Sequence, residues 1–143
     1  MKVEERKKLH LGEYPTPLEY MGNLTKKYGK GKLYIKRDDI AGPAFGGNKT
    51  RKLEYIMQEA VEEGYTAMLT VCGPQTNHGK TTVAAAVKLG LKPILVLGGK
   101  APDYLSGNLT LDAMMGADIV FAGDDMPGAV KATIERYEKQ GDK

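Results

Sequence analysis

From Lys49 onward the apolar positions of the chain keep a regular order. Leu53, Ile56, Met57, Ala60 and Val61 recur at helical spacing and predict an amphipathic helix that begins at Lys49 and is closed by Gly64. Residues 67–71 form a short apolar run that reads as a strand. A loop from Cys72 to Asn77 follows, then an alanine-rich helix over 78–89 stopped by Gly90. The alternation continues with a strand at 93–97, a helix over 106–115 and a strand at 117–121. A last helix spans 127–139, with Pro127 at its start, where proline is tolerated. Short apolar strands alternating with helices predict an α/β fold. Its open parallel sheet is built from right-handed crossovers, has helices on both faces, and has strands buried on both sides. Ligands of such sheets sit beyond the carboxyl ends of the strands, which points to the loops beginning at Cys72, Gly98 and Ala122.

The first part of the chain is less regular. Tyr14-Pro15-Thr16-Pro17-Leu18 is expected to be extended, because each proline biases its predecessor away from helix. Residues 18–28 predict a short helix ended by Gly29, and residues 33–36 a strand. The charged Arg37-Asp38-Asp39 and a glycine-rich loop come next.

Composition narrows the classes. A chain of 143 residues, 41% hydrophobic and 27% charged, is a globular domain with a proper core. Its 21 basic and 18 acidic residues leave +3, too little to argue for nucleic acid, and Lys7-Lys8 and Lys26-Lys27 make no binding stripe. With Cys72, His10 and His78 as the only cysteine and histidines, neither a disulfide nor a metal site is expected. The charged first residues do not read as a signal peptide, and no apolar run approaches membrane-spanning length. A cytoplasmic protein is expected.

Two segments carry candidate chemistry. Gly46-Gly47-Asn48 forms a tight loop, and Lys49 then stands in the first helical turn, where peptide dipoles present partial positive charge. With Arg51 and Lys52 close by, that field disfavours an ammonium, as an amine forming a Schiff base requires. The same residues also suit an ordinary solvated basic face. The second segment, Gly73 to Thr82, invites a phosphate-loop reading, but five residues rather than four separate Gly73 from Gly79-Lys80-Thr81. Read directly, Thr76 offers a hydroxyl, Asn77 an amide and His78 an imidazole at a helix N-terminus, a plausible cradle for an amino-acid carboxylate. Simple helix capping by Thr76 or Asn77 uses the same geometry.

Taken in order, Tyr14-Pro15-Thr16-Pro17-Leu18, Lys36-Arg37-Asp38-Asp39, residues 46–55 (GGNKTRKLEY), Gln75-Thr76-Asn77-His78, Gly107-Asn108-Leu109-Thr110-Leu111 and Gly116-Ala117-Asp118 form a series. It resembles the D-cysteine desulfhydrase and 1-aminocyclopropane-1-carboxylate deaminase family, pyridoxal-phosphate enzymes of the tryptophan-synthase β type. The resemblance runs from about residue 14 to about residue 125. It implies that Lys49 carries pyridoxal 5'-phosphate as a Schiff base and shuttles protons at the substrate. It implies that Asn77 hydrogen-bonds the cofactor's phenolic oxygen and that Lys52 lies near its phosphate. Thr76, with the amides around Asn77 and His78, would grip the carboxylate of a small amino acid, which is broken down to ammonia and a 2-oxo acid.

Three positions depart from the family pattern. Serine is usual where Thr76 stands, so the extra methyl is expected to tighten the carboxylate site. A small residue and an arginine are usual where Gly79 and Lys80 stand. Family members are also more than twice as long. The resemblance therefore implies that residues 1–49 belong to an incomplete large domain and residues 50–143 to the small domain of the tryptophan-synthase β-like fold. The N-terminal segment should be mobile or pack on a partner. A homo-oligomer, or association with a chain carrying the large domain, is expected, since an unfinished sheet favours association. The alternatives are an inactive α/β module that binds a small anion or a partner chain, and a nucleotide-binding protein.

Overall fold

The computed structural model describes residues 6–143. The expectation that the first residues are not a signal peptide falls largely on residues 1–5, outside the described residues. The elements follow in the order β1 (Leu18–Tyr20), α1 (Gly22–Tyr28), β2 (Tyr34–Lys36), a 3-10 turn (Asp38–Ile40), α2 (Lys49–Glu62), β3 (Ala67–Cys72), α3 (Asn77–Lys88), β4 (Lys92–Leu97), α4 (Gly107–Met114), β5 (Asp118–Phe121) and α5 (Met126–Lys139). No helix among the described residues is long and apolar enough to cross a membrane.

Strands β3, β4 and β5 lie side by side in that order and are parallel, as the alternating pattern predicts. Cys72 is paired with Leu97, and Leu97 with Phe121, so the three carboxyl ends are level. One face of the sheet is covered by α3 and α4, where Val83 and Leu109 meet Leu95, Leu97, Ile119 and Phe121. Helix α2 packs on α3 through Leu53, Met57, Ala85 and Ala86. Helix α5 lies against β4 and β5 on the opposite face, because the residues of β3 and β4 beside it, Leu69 and Ile94, are the alternate set. It leaves an apolar groove of about 420 Å³ between Tyr65, Ala67, Leu69, Ile94, Ile134 and Tyr137. Burial on both sides, expected of all three strands, holds fully for the last four residues of β4 only; β3 and β5 are edges, half-exposed along their length apart from the exposed Val71. The chain ends beside β3, where the amides of Thr66 and Ala67 donate to the Lys143 carbonyl at 2.9 and 3.3 Å.

Four sequence expectations are corrected here. The buried face of α2 is Thr50, Leu53, Glu54, Met57 and Ala60, while Ile56 and Val61 are exposed. The helix is turned because residues 8–12 lie along it and offer donors to a carboxylate at position 54. Those residues are accordingly packed rather than loose: Leu11 joins the core between α2 and α3. The third correction concerns residues 18–28, which split into a strand and a helix. Leu18, Glu19 and Tyr20 pair antiparallel with Lys36, Ile35 and Tyr34, and the Tyr20 and Tyr34 rings meet at 5.5 Å. A distant pairing partner outweighs local helical spacing there. Upstream, the peptide bond between Tyr14 and Pro15 is cis, and the chain bends at those two residues instead of running extended.

Candidate functional site

The loop before α2 is shaped by backbone geometry. Ala44, Phe45, Gly46 and Gly47 all have positive φ, at 52°, 64°, 62° and 129°. For Ala44 and Phe45 that is a strained conformation held by the surroundings. Gly46 is irreplaceable for a further reason: a β-carbon there would meet the carbonyl and amide of Ala41 at 2.6 and 2.7 Å. The Gly47 amide donates to the Asp38 carbonyl at 2.9 Å, and the Thr50 hydroxyl to the Ala41 carbonyl at 3.0 Å. Arg51 clamps the loop from the helix side, donating to both Asp38 carboxylate oxygens at 2.6 and 2.8 Å, with its guanidinium 4.4 Å over the Tyr14 ring. Arg51, followed by the Thr16 hydroxyl at 2.7 Å, holds the Asp38 carboxyl well below the usual range. The result is that Lys49, half-buried, is delivered as the first residue of α2, whose start has no side-chain cap. Gly46→Ala is expected to force this loop apart. Amide chemical shifts should move from Asp38 to Arg51 and stay put in β4 and β5, whereas an undisturbed loop would refute the contact.

Opposite stands the start of α3, at the carboxyl end of β3. Thr76 caps it, its hydroxyl oxygen accepting from the His78 and Gly79 amides at 3.1 and 3.3 Å. Asn77 is exposed, with its carbonyl oxygen accepting from Asn108 Nδ2 at 3.1 Å. That contact orients the amide and turns Nδ2, a donor, away from Asn108. The same Asn108 nitrogen donates to the Gln75 carbonyl at 3.0 Å, and the Asn108 amide to Gln75 Oε1 at 3.0 Å. Gln75 in turn donates to the Ser106 carbonyl at 3.0 Å, so the loop after β3 and the start of α4 are clasped together. Asn108 is the residue that sequence reasoning quoted in a motif without giving it a role. The only signal available was its place directly after Gly107 at a helix start.

The starts of α2 and α3 lie close enough for the charges of Lys49 and Lys52 to act on His78. His78 is half-buried, and its imidazole is pushed below its ordinary pKa first by burial, then by the charges of Lys52 and Lys49. All of the predicted polar residues, Lys49, Lys52, Thr76, Asn77 and His78, therefore stand at the paired starts of α2 and α3. Lys52 and Asn77 are exposed, so the cluster opens to solvent. Beneath it, burial raises the Cys72 thiol, and a hydrogen-bonding contact with Thr76 opposes that shift. The donor set fits a phosphorylated pyridine aldehyde: one amine for the carbonyl, a carboxamide donor held by a neighbour, and ammonium charge one helical turn away.

Residues 9–143 match a family described as pyridoxal-phosphate dependent enzyme. A putative 1-aminocyclopropane-1-carboxylate deaminase of Thermotoga maritima is 37% identical over 136 residues, covering 95% of this chain and 43% of the relative. A D-cysteine desulfhydrase of Salmonella paratyphi C is 39% identical over 141 residues, covering 94% and 43%. The crystal structure of an ACC deaminase homologue superposes with a TM-score of 0.83 at 37% identity, over 99% of this chain and 44% of that one. The chain thus spans less than half the length of these relatives. On the family match, and on a fold that superposes on such an enzyme, the chain belongs to the pyridoxal-phosphate dependent enzymes.

Proposed function

We propose that this chain is the lysine-bearing part of a pyridoxal-phosphate-dependent lyase or deaminase acting on a small amino acid of the D-cysteine or 1-aminocyclopropane-1-carboxylate kind. The observation that carries the reading is that Lys49, at the start of α2, lies close enough to act on His78 at the start of α3, beside an Asn77 oriented by Asn108. On this reading Lys49 binds the cofactor and moves protons at the substrate. Asn77 Nδ2 would donate to the cofactor's phenolic oxygen, and Lys52 would attract its phosphate. The Thr76 hydroxyl and the Asn77 amide hold the substrate carboxylate, with His78 beside them. Once bound, pyridoxal phosphate supplies the electron sink that stabilises negative charge at the α-carbon. Residues 1–49 then belong to a large domain and 50–143 to a small one. On this reading full activity also calls on a large domain that closes the solvent-facing side.

The test is to add pyridoxal phosphate to the purified chain, record its visible spectrum, reduce with borohydride and locate the adduct by peptide mass. The expected result is a visible band and stoichiometric labelling at Lys49, both lost in Lys49→Ala. Weak labelling scattered over many lysines would refute an organised cofactor site in this chain and favour an α/β module that binds a small anion or a partner.

A further inference from the structure

Gly79 lies in the first turn of α3 with ordinary helical backbone, where alanine is the better helix former. Its lack of a side chain answers a steric need. A β-carbon at this position would lie 2.6 Å from Thr76 Cγ2, 2.9 Å from Cys72 Sγ and 3.4 Å from Leu95 Cδ2. The nearest obstacle is thus the methyl group of Thr76. At the same time the Thr76 hydroxyl oxygen is held by the His78 and Gly79 amides. A threonine has one side-chain torsion, so a methyl resting on Gly79 and an oxygen resting on two amides fix that torsion from both branches. A serine would be held by its oxygen alone.

We propose that Gly79 is a positioning residue: its bare α-carbon seats the Thr76 methyl, and the seated methyl fixes the direction of the hydroxyl that meets the substrate carboxylate. This rests on the reading of Thr76 as a carboxylate ligand. It also reverses one sequence expectation. The methyl is turned into the protein, toward Cys72 and Leu95, so it does not narrow the carboxylate site.

The experiment is a cycle of four chains: the original, Gly79→Ala, Thr76→Ser, and the double variant. Three readouts are taken: the thermal midpoint, the three-bond NMR couplings to Thr76 Cγ2, and the spectral response of the pyridoxal-phosphate-loaded chain to 1-aminocyclopropane-1-carboxylate. Cyclopropylamine, which lacks the carboxylate, is the control. Gly79→Ala is expected to lower the midpoint by about 5 °C, to average the Thr76 couplings and to weaken the response to the amino acid but not to the amine. Thr76→Ser alone should change the midpoint little, and the double variant should regain most of the loss, with Cys72 swinging aside. A double variant no more stable than Gly79→Ala would overturn the proposal, because the methyl would not be the obstacle. Unchanged couplings in Gly79→Ala would also overturn it. An original chain that responds equally to acid and amine would refute the carboxylate reading of Thr76 instead, while the midpoints and couplings still decide whether Gly79 seats the methyl.

Discussion

Glu54→Ala is expected to destabilise the fold by about 3 kcal/mol, from two orphaned buried donors at roughly 1 to 3 kcal/mol each. Glu54 is fully buried in the middle of α2. Its carboxylate accepts from the amides of Leu11 and Gly12 at 3.1 and 3.3 Å and from Lys8 Nζ at 2.6 Å. These three donors respond differently to its loss. The Lys8 side chain is 42% exposed and can return to water when Glu54 is removed, so it leaves no orphaned donor. The two amides are buried and cannot. Lys8→Ala keeps both amides bonded to the carboxylate and should cost less than Glu54→Ala, which, measured by urea unfolding, shows the full loss. Glu54→Leu fills the volume but restores no acceptor, and should stay nearly as unstable as the alanine variant. Equal effects of Lys8→Ala and Glu54→Ala would mean that the ion pair, not the amides, holds the N-terminal segment.

Asp112→Asn is expected to stabilise the protein at pH 8 and to leave it almost unchanged at pH 4. Asp112 is buried in α4, and neither carboxylate oxygen has a hydrogen-bond partner among the described residues. Burial pushes its pKa up to about 6, against a weaker opposing pull from Lys80. The folded state thus holds its proton more tightly than the unfolded chain does. Stability contributed at this site is fully present below about pH 4 and is lost as pH rises to about 6. At roughly 1.4 kcal/mol for each unit, the ionised form costs about 3 kcal/mol at neutral pH. An amide at 112 cannot ionise and avoids that loss. The check is a set of urea titrations of both proteins from pH 4 to 8; parallel curves would show that Asp112 does not titrate in this window.

The order of elements from α2 to α5 was legible because apolar spacing changes cleanly between strand and helix, with Gly64, Gly90 and Pro127 marking the changes. The candidate site was legible because motif residues cluster at two helix starts. What was hidden involved polar atoms whose partners lie far along the chain. Thr50 and Glu54 are buried because residues 8–12 and 41 supply hydrogen bonds, which no local period records. Strand β1 needed β2 to exist. The orienting role of Asn108 depends on Gln75 and Asn77, about thirty residues earlier. For Asp112 the sequence held no sign of its missing partners.

The position of Lys143 has a practical consequence. Its carbonyl is already bonded to the first amides of β3, and β3 pairs only with β4 among the described residues. Any polypeptide joined after Lys143 therefore starts at the amino end of an open strand edge, beside an apolar groove. An affinity tag or reporter fused there is not an inert appendage. A tag rich in proline and acidic residues would be the one least able to pair with that edge.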